Sequence, residues 1–226
     1  MSSRPEQLAD LPQAIAVFPL LGAILLPRAI LPLHIFEPRY LAMVDAALGG
    51  SRLIGMIQPD GESGPTGSPM GRSSALCRVG CVGRINSFQE IDDGCYVIAL
   101  SGIARFTPVR ELRDELPYRT FEVDYGPWAH DLEPGFGEHE IDRDHLVDVL
   151  TKFLSGRRLQ ADWASIGKSG NEMLVNALSV ASPFLPAEKQ ALLEAGTLAE
   201  RAATLITLAE MALASGGDDG ADKPLQ

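Results

Sequence analysis

The chain has 226 residues, 46% hydrophobic and 22% charged, a composition that supports one large domain or two small ones and excludes disordered, coiled-coil and collagen-like chains. With 22 Gly and 16 Pro it is rich in turns, which argues against an all-helical bundle. The net charge of −11 sits in the second half, since residues 1–113 balance ten Arg with ten acids and residues 114–226 set nine bases against twenty acids; neither half has the basic excess that nucleic acid or an anionic membrane requires.

Residues 11–27 are uncharged, but Pro12, Pro19, Gly22 and Pro27 break them up and Arg28 follows. A spanning helix needs about 20 apolar residues, and Glu6 and Asp10 spoil a signal-peptide start. Together with an odd set of three cysteines, Cys77, Cys81 and Cys95, this predicts a cytoplasmic protein without a disulfide framework. Three short apolar runs, residues 14–18, 23–26 and 31–36, are punctuated by proline and read as edge or barrel strands. Glu37-Pro38-Arg39-Tyr40 opens a helix with Pro38 at its first position, and Tyr40, Leu41, Val44 and Leu48 share one face before Gly49-Gly50 ends it. Residues 52–57 form a strand. Residues 59–75 are mostly Gly, Pro and Ser and read as a flexible, protease-sensitive loop.

The clearest sheet signal is the pair of runs 79–91 and 95–106 around Asp92-Asp93-Gly94, a tight hairpin turn. Residues 95–100 are apolar on both faces, as in a buried central strand, and residues 119–125 alternate. Residues 126–139 form a linker rich in Gly, Pro and acids. Helical spacing then takes over in Leu146, Val149, Leu150, Phe153 and Leu154, with Asp142 or Asp144 as cap. Further helices follow around residues 173–181 and 186–195. A 4-3-4-3 seam of Leu198, Ala202, Leu205, Ala209 and Ala212 marks the last helix, and residues 215–226 form a disordered tail.

No catalytic, cofactor or metal site emerges. G-x-S-x-G and H-E-x-x-H are absent. Gly167-Lys168-Ser169 lacks the first glycine of a phosphate loop, whose place is taken by Asp162. If the hairpin pairs about Asp93, Cys81 faces Arg105, some ten residues along the ladder from Cys95, so no single ion bridges the cysteines. They read as buried thiols. His130, His139 and His145, among Asp131, Glu133, Glu138, Glu140, Asp142 and Asp144, read as a solvated acidic loop leading into a helix. His34, on an apolar strand, reads as a core histidine.

Four stretches are specific in combination: Phe18-Pro19-Leu20 with Leu25-Leu26-Pro27; Leu31-Pro32-Leu33-His34-Ile35-Phe36-Glu37-Pro38-Arg39-Tyr40; Val79-Gly80-Cys81-Val82-Gly83-Arg84-Ile85; and Gly102-Ile103-Ala104-Arg105-Phe106. With Lys189–Glu194 and Arg201, they resemble the N-terminal, substrate-binding domain of Lon proteases over residues 14–213. The resemblance ends with that domain, so no ATPase or peptidase module is expected. It implies an α+β fold, a PUA-like pseudo-β-barrel over residues 14–125 joined by the 126–139 linker to a helical bundle over residues 140–214. The function it implies is non-catalytic binding of unfolded or extended polypeptide, as an adaptor beside a protease or chaperone in quality control. An RNA-binding PUA-like module, against which the charge argues, and a hydrolase using the acidic–histidine loop are the alternatives. The candidate polypeptide contacts are His34, Phe36, Arg39 and Tyr40, with an ion pair tying helix to barrel as the structural reading of Arg39.

Overall fold

The computed structural model describes residues 7–60, 75–91, 94–112, 115–156 and 169–215. The glycine-rich segment 61–74, the turn residues Asp92 and Asp93, Gly167 and Lys168, and the tail after Ser215 lie outside the described residues.

Among the described residues six strands form one sheet: β1 (Ala14–Pro19), β2 (Ile30–Ile35), β3 (Leu53–Pro59), β4 (Leu76–Ile91), β5 (Cys95–Leu112) and β6 (Arg119–Asp124). Their order is β2-β5-β4-β3-β1-β6, and β6 pairs back onto β5, so five strands close into a ring with β2 attached outside it. Closure falls to β5, whose 18 residues serve two partners. Its first part pairs with β2 from Tyr96 to Ser101, and its last part pairs with β6 from Thr107 to Leu112. A strand that does both must bend, and register shifts fall at Val82/Gly83, Ile85/Ser87 and Pro108/Arg110, as expected where a sheet curls. Two shifts in the β4–β5 ladder cancel, so Cys81 stands opposite Arg105 and Ile91 opposite Cys95, as pairing about Asp93 requires.

The ring interior holds Val17, Val82, Ala104 and Phe106, all fully buried. Glycine makes room for the phenyl ring, because a Cβ on Gly80 would lie 2.5 Å from Phe106 Cζ and one on Gly55 3.0 Å from it. Gly102 serves another close approach, since its Cβ would meet the Leu26 carbonyl oxygen at 1.9 Å. Two backbone bonds of 2.9 Å, Arg28 N–H to Gly102 O and Gly102 N–H to Ala29 O, hold the segment there. Residues 23–26 are therefore not the strand expected from their apolar run. Gly22 and Arg28 both have positive φ, Pro27 has no donor, and Ile24, Leu25 and Leu26 are buried as an irregular plug.

The expectation of a strand buried on both faces at residues 95–100 is also corrected. Ile98 is 1% exposed but Val97 39%, so the strand alternates and one side faces out.

Among the described residues the helices are α1 (Pro38–Leu48), α2 (Arg143–Gly156), α3 (Asn171–Ala181), α4 (Pro186–Glu194) and α5 (Leu198–Ser215). Asp142 caps α2 by accepting the His145 N–H at 3.1 Å. The chain forms two compact units, discontinuous in sequence: Met1–Pro134 with Asn176–Glu194, and Gly135–Val175 with Ala195–Gln226. Helix α4 thus counts with the sheet, although a division in chain order at residues 126–139 groups it with the other helices. Its tether is polar: Gln58 Nε2 donates to Pro186 O, Gln190 Nε2 to Val79 O, and Arg105 Nη1 to Leu193 O. In the second unit α2 and α5 pack together, with Leu146, Val149, Leu150 and Phe153 from α2 and Leu198, Ala202, Leu205 and Ala209 from α5 all buried. Among the described residues no helix is long and apolar enough to cross a membrane.

Candidate functional site

Strand β2 lies at the end of the sheet order and pairs with β5. Pro32, which lacks an N–H, is tolerated there because edge strands need not donate on both sides. Side chains alternate along a strand. Leu33 and Ile35 are buried, while Ile30 at 64%, Pro32 and His34 are exposed. Phe36 follows at 63% exposure, its ring 5.9 Å from that of His34. Val97 stands opposite His34 on β5 and is itself exposed. The result is a row of apolar and aromatic side chains open to solvent along one strand. Isolated exposed apolar residues need no explanation, but a contiguous row is the signature of a contact surface.

The four sequence candidates divide. His34 and Phe36 sit together on this open row, so His34 is not the core histidine its apolar neighbours suggested. Arg39 is one-quarter exposed, pairs with Glu37 at 2.7 Å, and places its guanidinium 4.5 Å from the Tyr40 ring centroid. Tyr40 is buried, its ring 4.3 Å from that of Phe18, and burial pushes its phenol above the ordinary value. The structure therefore brings His34 and Phe36 together on the surface, engages Arg39 with Glu37 and the Tyr40 ring, and commits Tyr40 to the core. Sequence reasoning missed Ile30, Pro32 and Val97. With both faces of residues 30–36 apolar, alternation gives no sign of which face is outward.

A second, polar constellation is built around a buried ion pair. Phe106 points into the ring, so Arg105 points to the opposite face of β5, where the 3-10 turn Gly126–Leu132 and α4 cover it. Its guanidinium meets both Asp131 carboxylate oxygens (Nη2–Oδ1 2.8 Å, Nε–Oδ2 2.9 Å), and its own N–H donates to the same carboxylate at 2.8 Å. Trp128 stacks on it at 4.0 Å, and His130 Nε2 lies 3.2 Å from Nη2. Arg105 is 1% exposed and Asp131 4%. Asp131 is thus not part of a solvated loop, because a buried guanidinium must have a hydrogen-bonded counter-charge. An arginine one residue from a core phenylalanine in a long strand was the available signal. The cluster's bonds are turned inward on one another, which makes it a staple. Among the described residues no group of three or more His, Cys, Asp or Glu could hold a metal ion.

The family model for the substrate-binding domain of ATP-dependent protease La (LON) matches residues 14–210. Lon protease 2 of Myxococcus xanthus is 29% identical over 116 residues, 51% of this chain and 13% of that protein. The Lon protease of Syntrophus aciditrophicus is 25% identical over 206 residues, 89% of this chain and 22% of its own length. The chain therefore spans under a quarter of these relatives. Among solved structures, the N-terminal domain of Mycobacterium avium complex Lon protease superposes with a TM-score of 0.64 at 18% identity, covering 87% of this chain and 98% of that one. A Lon N-terminal domain protein from Xanthomonas campestris gives 0.57 at 23% identity, with 86% and 97% covered. Both are likenesses of fold.

Proposed function

The chain belongs to the Lon protease substrate-binding domain family, and from that premise we propose that it binds unfolded or extended polypeptide through the outward row of β2, without catalysing a reaction. The observation that carries this reading is the row itself, Ile30, Pro32, His34 and Phe36 at alternate positions of an end strand. An extended segment laid along β2 matches its two-residue repeat and covers apolar side chains with its own. Covering one large side chain is worth about 1.5–3 kcal/mol, so a few such contacts give weak, sequence-tolerant binding suited to many clients. We place the protein in the cytoplasm as an adaptor that presents polypeptide to a protease or chaperone. The Gln58, Arg105 and Asp131 side chains are all engaged in holding the fold, which supports a binding rather than a catalytic role.

The test is the double variant Ile30→Ser/Phe36→Ser. Both side chains are exposed, so stability should move by less than about 0.5 kcal/mol each. Affinity for a permanently unfolded, carboxymethylated protein, read by fluorescence anisotropy, should fall tenfold or more. Unchanged affinity in the folded variant overturns the assignment to β2.

A further inference from the structure

Within the first unit, where β3 ends and β4 begins, helix α4 bounds a cavity of about 650 Å³, the size of a small-ligand site. Leu21, Leu185, Pro186 and Ala191 supply apolar wall, and Leu21 and Leu185 are exposed at it. The floor is hydrogen-bonded throughout. Gln58 is buried, with its Oε1 accepting the Gly22 N–H at 2.8 Å and its Nε2 donating to Pro186 O at 3.0 Å and Gln190 Oε1 at 3.1 Å. With both amide donors and the carbonyl engaged, this side chain ties the wall together.

The charge is one-sided. Asp60 and Glu194 line the cavity with Cys77, and among the described residues the lining contains no Lys, Arg or His. Both carboxylates act on the Cys77 thiol, adding to the effect of burial, so their field converges on the cavity. We propose that this cavity receives an apolar side chain of a bound polypeptide together with an adjacent Lys or Arg, the apolar group against Leu21, Leu185 and Pro186 and the cation between Asp60 and Glu194. The inference shares with the reading above the premise that the chain binds polypeptide, but not its place, because no residue of the cavity belongs to the β2 row.

Cys77 supplies the readout. In a Cys95→Ser background the remaining partner thiol, Cys81, is fully buried, so alkylation by iodoacetamide at pH 9, followed by mass spectrometry, reports on Cys77. The blocked pentapeptides Ala-Leu-Lys-Leu-Ala and Ala-Leu-Arg-Leu-Ala should slow alkylation in a saturable way. Ala-Leu-Glu-Leu-Ala should protect at least tenfold more weakly. In Asp60→Asn/Glu194→Gln, both exposed positions, the Lys peptide should lose its advantage at unchanged melting temperature. Ala191→Trp, which fills the cavity from the exposed side of α4, should abolish protection by every peptide. The Ile30→Ser/Phe36→Ser variant should keep protection intact, so failure of the β2 site leaves this result standing. No protection by the Lys peptide, equal protection by the Glu peptide, or a Lys preference that survives removal of the two carboxylates overturns the proposal.

Discussion

Arg105 concentrates the polar interior of the first unit, joining β5, the 126–132 turn and the end of α4 through one guanidinium. Asp131→Ala leaves that cation buried without its counter-charge, and stability should fall by about 3–5 kcal/mol. Arg105→Met combined with Asp131→Leu removes both charges and should recover part of the loss, because a buried pair offers little net gain over apolar residues of similar volume. The backbone N–H at Arg105 still loses its Asp131 acceptor, at a cost of about 1–3 kcal/mol. Urea unfolding of the two single variants and the double checks this, and simple additivity of the singles would refute it. Arg39 should behave differently. Its pair with Glu37 is partly exposed on both sides and worth about 0–1 kcal/mol, so Arg39→Ala should lower the melting temperature by no more than about 4 °C while weakening polypeptide binding. Binding unchanged by the substitution would leave Arg39 only its local role. At Cys77, burial and two nearby carboxylates push the thiol from its ordinary 9.0 to about 11. The protonated form is the one the fold favours, so this contribution to stability is complete below pH 9 and is lost as pH rises toward 11. The alkylation rate of Cys77 should climb through the same window, and a rate already at its plateau by pH 9 would contradict the assignment.

Strands and helices differ in how much of them periodicity reveals. The hairpin of β4 and β5, the alternation of β6 and the 3.6-residue repeats of α2 and α5 are visible in the chain because each buries one regular set of side chains. The plug at residues 23–26 is not, because its apolar run matches that of a strand while the chain just after it, at Arg28 and Ala29, bonds to Gly102 in place of extending a ladder. Nor is the place of α4 legible. It buries Lys189 beside Leu192 and Leu193, the ammonium donating to the Val180 carbonyl at 3.0 Å near the end of α3, and a buried lysine blurs the apolar stripe. Half of the candidate site was readable, in that His34 and Phe36 were named, whereas the outward turn of Ile30 and Val97 depends on which face the ring covers. The plug offers a direct test at this scale. Gly102→Ala drives a Cβ into the Leu26 carbonyl and should cost about 1–3 kcal/mol. Gly94→Ala meets nothing within 4 Å and should cost no more than the strain of its positive φ, about 1 kcal/mol. Equal losses in urea would mean that the approach of Leu26 to Gly102 is not what fixes the glycine.

For the whole molecule the deciding quantity is charge. Polypeptide and RNA are both extended polymers that a small barrel could engage, but only one carries a charge on every residue of its backbone. With a net charge of −11 and no basic excess in either half, approach of a phosphate chain is opposed from beyond the first contact, and the opposition reaches about 30 Å at 0.01 M salt and about 8 Å at 0.15 M. On the polypeptide reading the same field would draw in basic unfolded segments, and the cavity lined by Asp60 and Glu194 is the proposed place for them to stop. Association with a basic unfolded client should therefore slow markedly between 0.01 and 0.15 M salt, while an uncharged client of equal length should associate at a rate that barely changes. Labelled single-stranded RNA should show no saturable binding at either salt concentration. RNA affinity tighter than about 10⁻⁶ M at 0.15 M, falling with salt along a slope near −0.7 per neutralised phosphate, would mean that a local arginine surface outweighs the molecule's field, and the polypeptide reading would give way to a nucleic-acid one.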